Sequence, residues 1–116
     1  MENKFVDDII IKTLSDYKCY RQGSAPKELP NLFITFWENE SRDLKHYDNE
    51  PISTVHNFDI NVYGTKISEV YNTLEICIEL LKNKGFIISG KGHDIPSDNS
   101  NYRSRGIEVI YQLENQ

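Results

Sequence analysis

Residues 64–85, GTKISEVYNTLEICIELLKNKG, are the segment whose structure is easiest to predict, and the rest of the chain is interpreted around it. Its apolar residues recur every three or four positions, which is the spacing of one face of an α-helix. The stripe comprises Ile67, Val70, Tyr71, Leu74, Cys77, Ile78 and Leu81, with Ile76 and Leu80 widening it. Thr65 can cap the first turn, and Gly85 can adopt the left-handed conformation that ends many helices. A helix this one-sided must pack on an apolar surface, and we expect that surface to be a β-sheet.

The segments on either side of this helix supply the sheet. Four strands are predicted, at residues 31–38, 52–63, 86–89 and 102–113. Each is rich in β-branched and aromatic residues or alternates apolar with polar positions, as strands do. Residues 2–17 have helical spacing and predict a first helix. Residues 19–30 contain Gly23, Pro26 and Pro30, and we expect a connection there, with room for a short extended piece.

The element order predicted in this way is α-β-β-α-β-β. We expect two antiparallel hairpins joined into a mixed or antiparallel four-stranded sheet, with both helices packed on one face. This is an α+β architecture, and residues 1–116 are predicted to form a single domain. Two polar segments, residues 39–51 and 90–101, are predicted to be long loops, which in a compact domain are usually functional or disordered.

Composition argues against several classes of partner. The chain has a net charge of −5, and its thirteen basic residues are scattered, so we expect no direct contact with nucleic acid. No apolar run approaches the length of a membrane span, so we expect no membrane partner. Cys77 belongs to the helix stripe and is predicted to be a buried thiol, and we expect no disulfide between it and Cys19.

The residue types that could carry chemistry do not form a recognisable site. His46 and His93 lie in the predicted loops, and His56 is predicted to be a hydrogen-bonded histidine inside or at the rim of the core. Residues 90–92 read Gly-Lys-Gly but lack the rest of a phosphate-binding loop. No serine lies in a nucleophile elbow. We therefore expect no catalytic, cofactor-binding or metal-binding residues, although an enzyme site between the two polar loops remains an alternative.

One strand carries apolar residues on both of its faces. In residues 31–38, Phe33 and Trp37 lie opposite the alternate apolar positions. Two helices cover only one face of a four-stranded sheet, so we expect these two aromatics to be exposed and to form a subunit interface. The alternative is that residues 39–51 fold back and cover them. The candidate interface residues are Phe33, Trp37, Tyr47, Asp94 and Tyr102.

The order of these segments resembles a known family. The residues concerned are LPNLFITFWE, a charged loop, PISTVHNFDINVYG, a helix ending in LLKNKGF, then DIPSDN and NYRSRGIEVIYQL. The chain resembles, over nearly its whole length, the small tail terminator or tail completion proteins that join heads to tails in long-tailed bacteriophages and prophages of low-GC Gram-positive hosts.

The resemblance implies a structural virion protein with no enzymatic residues. Its subunits would form a ring, a hexamer, which caps the tail tube at the head–tail junction after assembly in the host cytoplasm. The implied partners are further copies of the chain, the major tail protein and the head connector or stopper protein. Two alternatives stay open: the related head-closure (stopper) protein of the neck, and a small ferredoxin-like regulatory or binding module unrelated to phage.

Overall fold

The computed structural model describes residues 6–45, 51–97 and 99–114. It contains two helices and five strands, and its principal axes measure 52 × 28 × 24 Å. The elements in chain order are α1 (Val6–Thr13), β1 (Cys19–Arg21), β2 (Leu32–Lys45), β3 (Pro51–Gly64), α2 (Ile67–Asn83), β4 (Ile87–Asp94) and β5 (Arg103–Glu114). The fold is therefore α+β, with the element order α-β-β-β-α-β-β.

The sheet has five strands in the order β1-β2-β3-β5-β4. β1 runs parallel to β2, and the other neighbouring strands are antiparallel. The prediction of a four-stranded sheet in the order α-β-β-α-β-β is wrong, because β1 lies within the segment predicted as a connection. β1 is only three residues long, too short to show a period of two. Its flanking backbone is fixed by hydrogen bonds from Ile34 N–H to Lys18 O and from Gln22 N–H to Phe36 O, both 2.8 Å long.

Both helices pack on the same face of the sheet, which we call the covered face. Alternate residues of the strands point into it, and α1 and α2 each contribute one apolar stripe. The buried core comprises Val6, Ile10, Leu14, Ile34, Phe36, Phe58, Ile60, Val62, Val70, Leu74, Cys77, Ile78, Leu81, Phe86, Ile107 and Val109. Each of the larger side chains contributes about 1.5–3 kcal/mol on full burial, so this layer is the main source of stability.

The two ends of α2 differ in how they satisfy the free backbone groups. At the start, Lys66 is the N-cap and no side chain caps the helix, so the prediction for Thr65 is wrong. At the end, Gly85 has a φ of 96°, which confirms the predicted left-handed residue. The Phe86 N–H donates to Leu81 O at 3.0 Å, the longer-range bond of a Schellman cap.

The first polar segment is more regular than predicted. β2 and β3 each run for fourteen residues, so most of the expected loop at residues 39–51 extends their hairpin. A register shift between Glu38 and Glu40 bulges β2 at this point. The alternative in which this segment folds back over the sheet is therefore wrong for the part that the structure describes.

The second polar segment also begins as a strand. β4 continues from Ile87 to Asp94, although residues 90–94 were predicted as loop. Gly90 and Gly92 have φ values of 82° and 100°, and the pairing with β5 shifts register between Ser89 and His93. This irregular stretch breaks the alternation of apolar and polar residues, so the sequence does not indicate a strand here.

Candidate functional site

The second face of the sheet carries no helix, and we call it the open face. Strand alternation and register place one set of side chains on it. These residues are Tyr20, Phe33, Thr35, Trp37, Asn57, Asp59, Asn61, Tyr63, Ile87, Ser89, Glu108 and Ile110. One end of this face is covered by the chain's own loop, whereas its centre is not.

At the covered end, Phe33 lies beneath other aromatic rings. Its ring stacks on Tyr63 with centroids 5.0 Å apart and meets Tyr102 edge-on at 5.7 Å. The Tyr102 hydroxyl donates to Pro30 O at 2.8 Å and to Leu29 O at 3.2 Å. Phe33 is only 4% exposed, so the expectation that it would be exposed is wrong.

The loop that covers this end is named loop 95–102, and the structure describes its residues 95–97 and 99–102. Hydrogen bonds tie the start of this loop to β5. The Ile95 N–H donates to Ser104 O at 3.1 Å, and the Ser104 hydroxyl donates back to Ile95 O at 2.5 Å. A Cβ at Gly106 would collide with Asn61 Oδ1 and Ile95 Cδ1. Glycine at this position therefore lets the loop lie directly on the sheet.

At the uncovered centre, one row of side chains crosses four strands. Trp37 pairs in register with Asp59, Asp59 with Glu108, and Glu108 with Ser89. Trp37 is 48% exposed, as predicted, and its indole Nε1–H donates to Asp59 Oδ2 at 2.8 Å. Two carboxylates directly opposite each other on neighbouring strands repel. We call Trp37, Asp59, Glu108 and the exposed Ile87 beside them the open-face patch.

A second surface lies where the first turns of α2 meet loop 95–102. Ile67 and Tyr71 were predicted to be buried in the helix stripe, but they are 46% and 44% exposed, so this part of the prediction is wrong. They border a groove of about 580 Å³. Its lining is Ile67, Tyr71, Asp94, Ile95, Ser97, Ser100, Tyr102, Arg103 and Ser104. We call this surface the α2 groove.

Two arginines of β5 lie in the α2 groove or beside it. The Arg105 guanidinium lies 4.7 Å from the centre of the Tyr71 ring, and its Nη1 donates to Asp94 Oδ1 at 2.9 Å. The Asp94 carboxylate, which lines the groove, therefore has an arginine partner within the same protomer. Arg103 is exposed, and within the described part of the chain no carboxylate forms an ion pair with it. The sequence analysis missed both arginines, and their alternation in β5 next to the loop was the available signal.

The remaining predicted candidates fall in different places. His56 Nδ1 lies 2.5 Å from Glu38 Oε2, which confirms a hydrogen-bonded histidine. His93 is exposed, whereas His46 and Tyr47 lie outside the described residues. Among the described residues, no three His, Cys, Asp or Glu side chains are grouped as metal ligands would be. Over the same part of the chain, neither helix has the length and apolar character needed to cross a membrane.

The two cysteines lie on the covered face, away from both surfaces. Both are free thiols. Desolvation by burial raises the pKa of Cys19 and of Cys77 to about 12, and in Cys77 the nearby Cys19 adds to the effect. Both thiols therefore stay protonated and unreactive at neutral pH.

Comparison with known proteins identifies the fold. No family model matches the chain, and no curated protein matches it. Among solved structures, the chain is similar to one from the "Virion of native gene transfer agent (GTA) particle", with a TM-score of 0.57. The match covers 92% of this chain and 85% of that chain, with 12% sequence identity. At this identity the similarity establishes a shared fold.

Proposed function

We propose that this chain is a structural subunit of a phage-like virion, and that it acts as a tail terminator. In this role a ring of subunits, a hexamer, caps the tail tube at the head–tail junction. The observation that supports the proposal most is the fold shared along almost the whole chain with a protein of the gene transfer agent virion. The proposed partners are further copies of the chain, the major tail protein and the head connector.

The open face suits a subunit that acts by binding other proteins. Trp37 and Ile87 are 48% and 60% exposed on a sheet face that neither helix covers. Exposed aromatic side chains are frequent anchors of protein interfaces. The open-face patch thus favours an assembly protein, and we propose that the chain has no enzymatic activity and needs no cofactor.

The functional test is to silence the gene in a phage or prophage that carries it and to examine the lysate by electron microscopy. Because a terminator stops growth of the tail tube, its loss should give tails of uncontrolled length that are not attached to heads. Supplying the wild-type gene from a plasmid should restore tails of one length. Normal, infectious particles in the silenced culture would contradict a role in the virion.

The same experiment separates the terminator from a head-closure protein. A head-closure subunit holds packaged DNA in the head, so its loss should leave tails of normal length beside heads that have lost their DNA. That result would retain a place at the head–tail junction but would reject the terminator role. Tail length is therefore the measurement that decides between the two.

A further inference from the structure

The open-face patch and the α2 groove each combine exposed apolar surface with a charged group, and their charges are opposite. The patch presents a half-exposed indole directly beside the opposed carboxylates of Asp59 and Glu108. The groove presents the exposed apolar surface of Ile67 and Tyr71 beside the cation of Arg103, which pairs with no carboxylate among the described residues. In each surface the aromatic and the charged group are neighbours, so both contacts can form at once.

We propose that the open-face patch of one copy docks into the α2 groove of the next copy. In this contact Trp37 lies against Ile67 and Tyr71, and Arg103 pairs with the carboxylates of Asp59 and Glu108. The inference deepens the proposed function, on which it rests, by naming the surfaces through which the ring closes.

The two carboxylates of the open-face patch favour a positively charged group as the binding partner. Asp59 and Glu108 face each other across neighbouring strands, an arrangement that destabilises the isolated subunit slightly. An arginine brought between them would remove that repulsion. In a chain with a net charge of −5, Arg103 supplies an exposed positive charge in the lining of the α2 groove, which also contains Ile67 and Tyr71.

The two surfaces are different parts of the molecule, which determines the symmetry. The patch lies on the open face, whereas the groove is bordered by α2, which packs on the covered face. A contact between unlike surfaces is heterologous, and repeating it by rotation gives a closed ring or a filament rather than a two-fold dimer. This geometry fits a subunit that encircles a tube.

The test uses two opposite charge reversals, Glu108→Arg and Arg103→Glu. Glu108→Arg alone leaves Arg103 facing a patch with no net charge, and Arg103→Glu alone places a glutamate against two carboxylates. Self-association of each variant should therefore weaken about tenfold or more, as expected when a close charge pair across an interface is broken. Mixed in equal amounts, the two variants can alternate. At every contact residue 108 of one copy then carries the charge opposite to that of residue 103 of the next, so the mixture should associate more tightly than either variant alone. Sedimentation velocity with light scattering measures the masses.

The matched controls reverse charges that lie in neither surface. Glu79→Arg and Lys82→Glu change an exposed pair on α2 by the same charges. Both controls should associate like the wild type. Circular dichroism shows whether each variant is folded, and Glu108→Arg should fold well because it replaces a repulsive pair with an attractive one. Trp37→Ala gives an independent check, because it should weaken association without changing any charge.

Three results would overturn the inference. These are wild-type chains that stay monomeric at all concentrations, reversals that associate like the wild type, and mixtures that associate no more tightly than either variant alone. None of them decides the proposed function, because the tail phenotype of the silenced gene is measured separately. Suppose that silencing the gene gives tails of uncontrolled length, but the Glu108→Arg variant associates like the wild type. The terminator role would then be kept, and the subunit interface would lie elsewhere.

Discussion

Phe36 and Trp37 are consecutive residues of β2 that point to opposite faces of the same sheet. Phe36 is completely buried on the covered face, whereas Trp37 is 48% exposed on the open face. Phe36 packs against Phe58 and the helices, but Trp37 forms a hydrogen bond with Asp59. The covered face is completed by the chain itself, and the open face is completed only at the end where loop 95–102 lies.

An apolar residue in a strand can thus belong either to the core or to an exposed surface, and the residue type alone does not indicate which. At the centre of the covered face, neighbouring positions are apolar, which is the pattern of a core. At the centre of the open face, aromatic and aliphatic side chains alternate with carboxylates and amides, which is the pattern of a protein interface with a polar rim. The two faces should therefore respond differently to the same substitution.

The largest difference is expected between Phe36→Ala and Trp37→Ala. Removing the buried ring should cost about 3–5 kcal/mol in the free energy of unfolding, through lost burial and the cavity left behind. Removing the exposed indole should cost about 1 kcal/mol, the contribution of one hydrogen bond. Urea denaturation followed by circular dichroism compares them at low concentration. Equal losses would mean that the two faces are not distinct.

A second comparison uses two residues one turn apart on α2. Leu74 is 2% exposed, so Leu74→Ala should lower the free energy of unfolding by about 2–5 kcal/mol. Tyr71→Ala removes a half-exposed ring and its contact with Arg105, which should cost about 0.5–1 kcal/mol. The same denaturation experiment measures both. A loss below about 0.5 kcal/mol for Leu74→Ala would be inconsistent with its place in the core.

Tyr102→Phe tests the covered end of the open face, which differs from the uncovered centre of the same face. The substitution removes the hydroxyl that donates to Pro30 O and Leu29 O and keeps the ring against Phe33. We expect a loss of about 0.5–1.5 kcal/mol. Tyr71→Phe is the control, because its ring keeps the cation–π contact. Thermal unfolding should show a lower midpoint for Tyr102→Phe only.

The smallest expected effect tests how well the covered face excludes water. Burial keeps the pKa of Cys19 and Cys77 near 12, whereas an unfolded thiol has a pKa near 9.0. Above that value the unfolded chain releases protons that the folded chain retains, so stability falls as pH rises toward 12. Each thiol should remove about 0.4 kcal/mol between pH 7 and pH 9. A Cys19→Ala/Cys77→Ala variant should lack this part of the pH dependence, and an identical pH slope would argue that both thiols are exposed.

The parts of the fold that were predicted from the sequence are those with a local signal. In α2 and in the longer strands, apolar residues recur with the spacing of a helix or of a strand. Gly85 follows the end of α2, as predicted. β1 was missed because a three-residue parallel strand is held by backbone hydrogen bonds to a distant strand. Periodicity carries no information about such pairing.

The candidate site was predicted only where exposure follows from strand alternation. Trp37 is exposed as the alternation of β2 indicates, but Phe33 is covered by Tyr102, which is distant in the sequence. Ile67 and Tyr71 match the helix stripe, yet they remain 46% and 44% exposed in the first turns of α2. Which side chains remain uncovered depends on how elements are placed relative to one another, and a local pattern does not contain that information. The interface roles of Trp37, Asp94 and Tyr102 remain predictions.

The strand order determines when the sheet can be completed during synthesis of the chain. β5 is the last of the five strands to leave the ribosome, yet it lies between β3 and β4. β4 pairs with no other strand that the structure describes, so it has no place in the sheet until β5 has been synthesised. At about 5–20 residues per second this interval lasts a few seconds. During that time the nascent chain exposes the apolar residues of β3 and α2 that β5 will cover. Synthesis of β5 and completion of the core are therefore coupled.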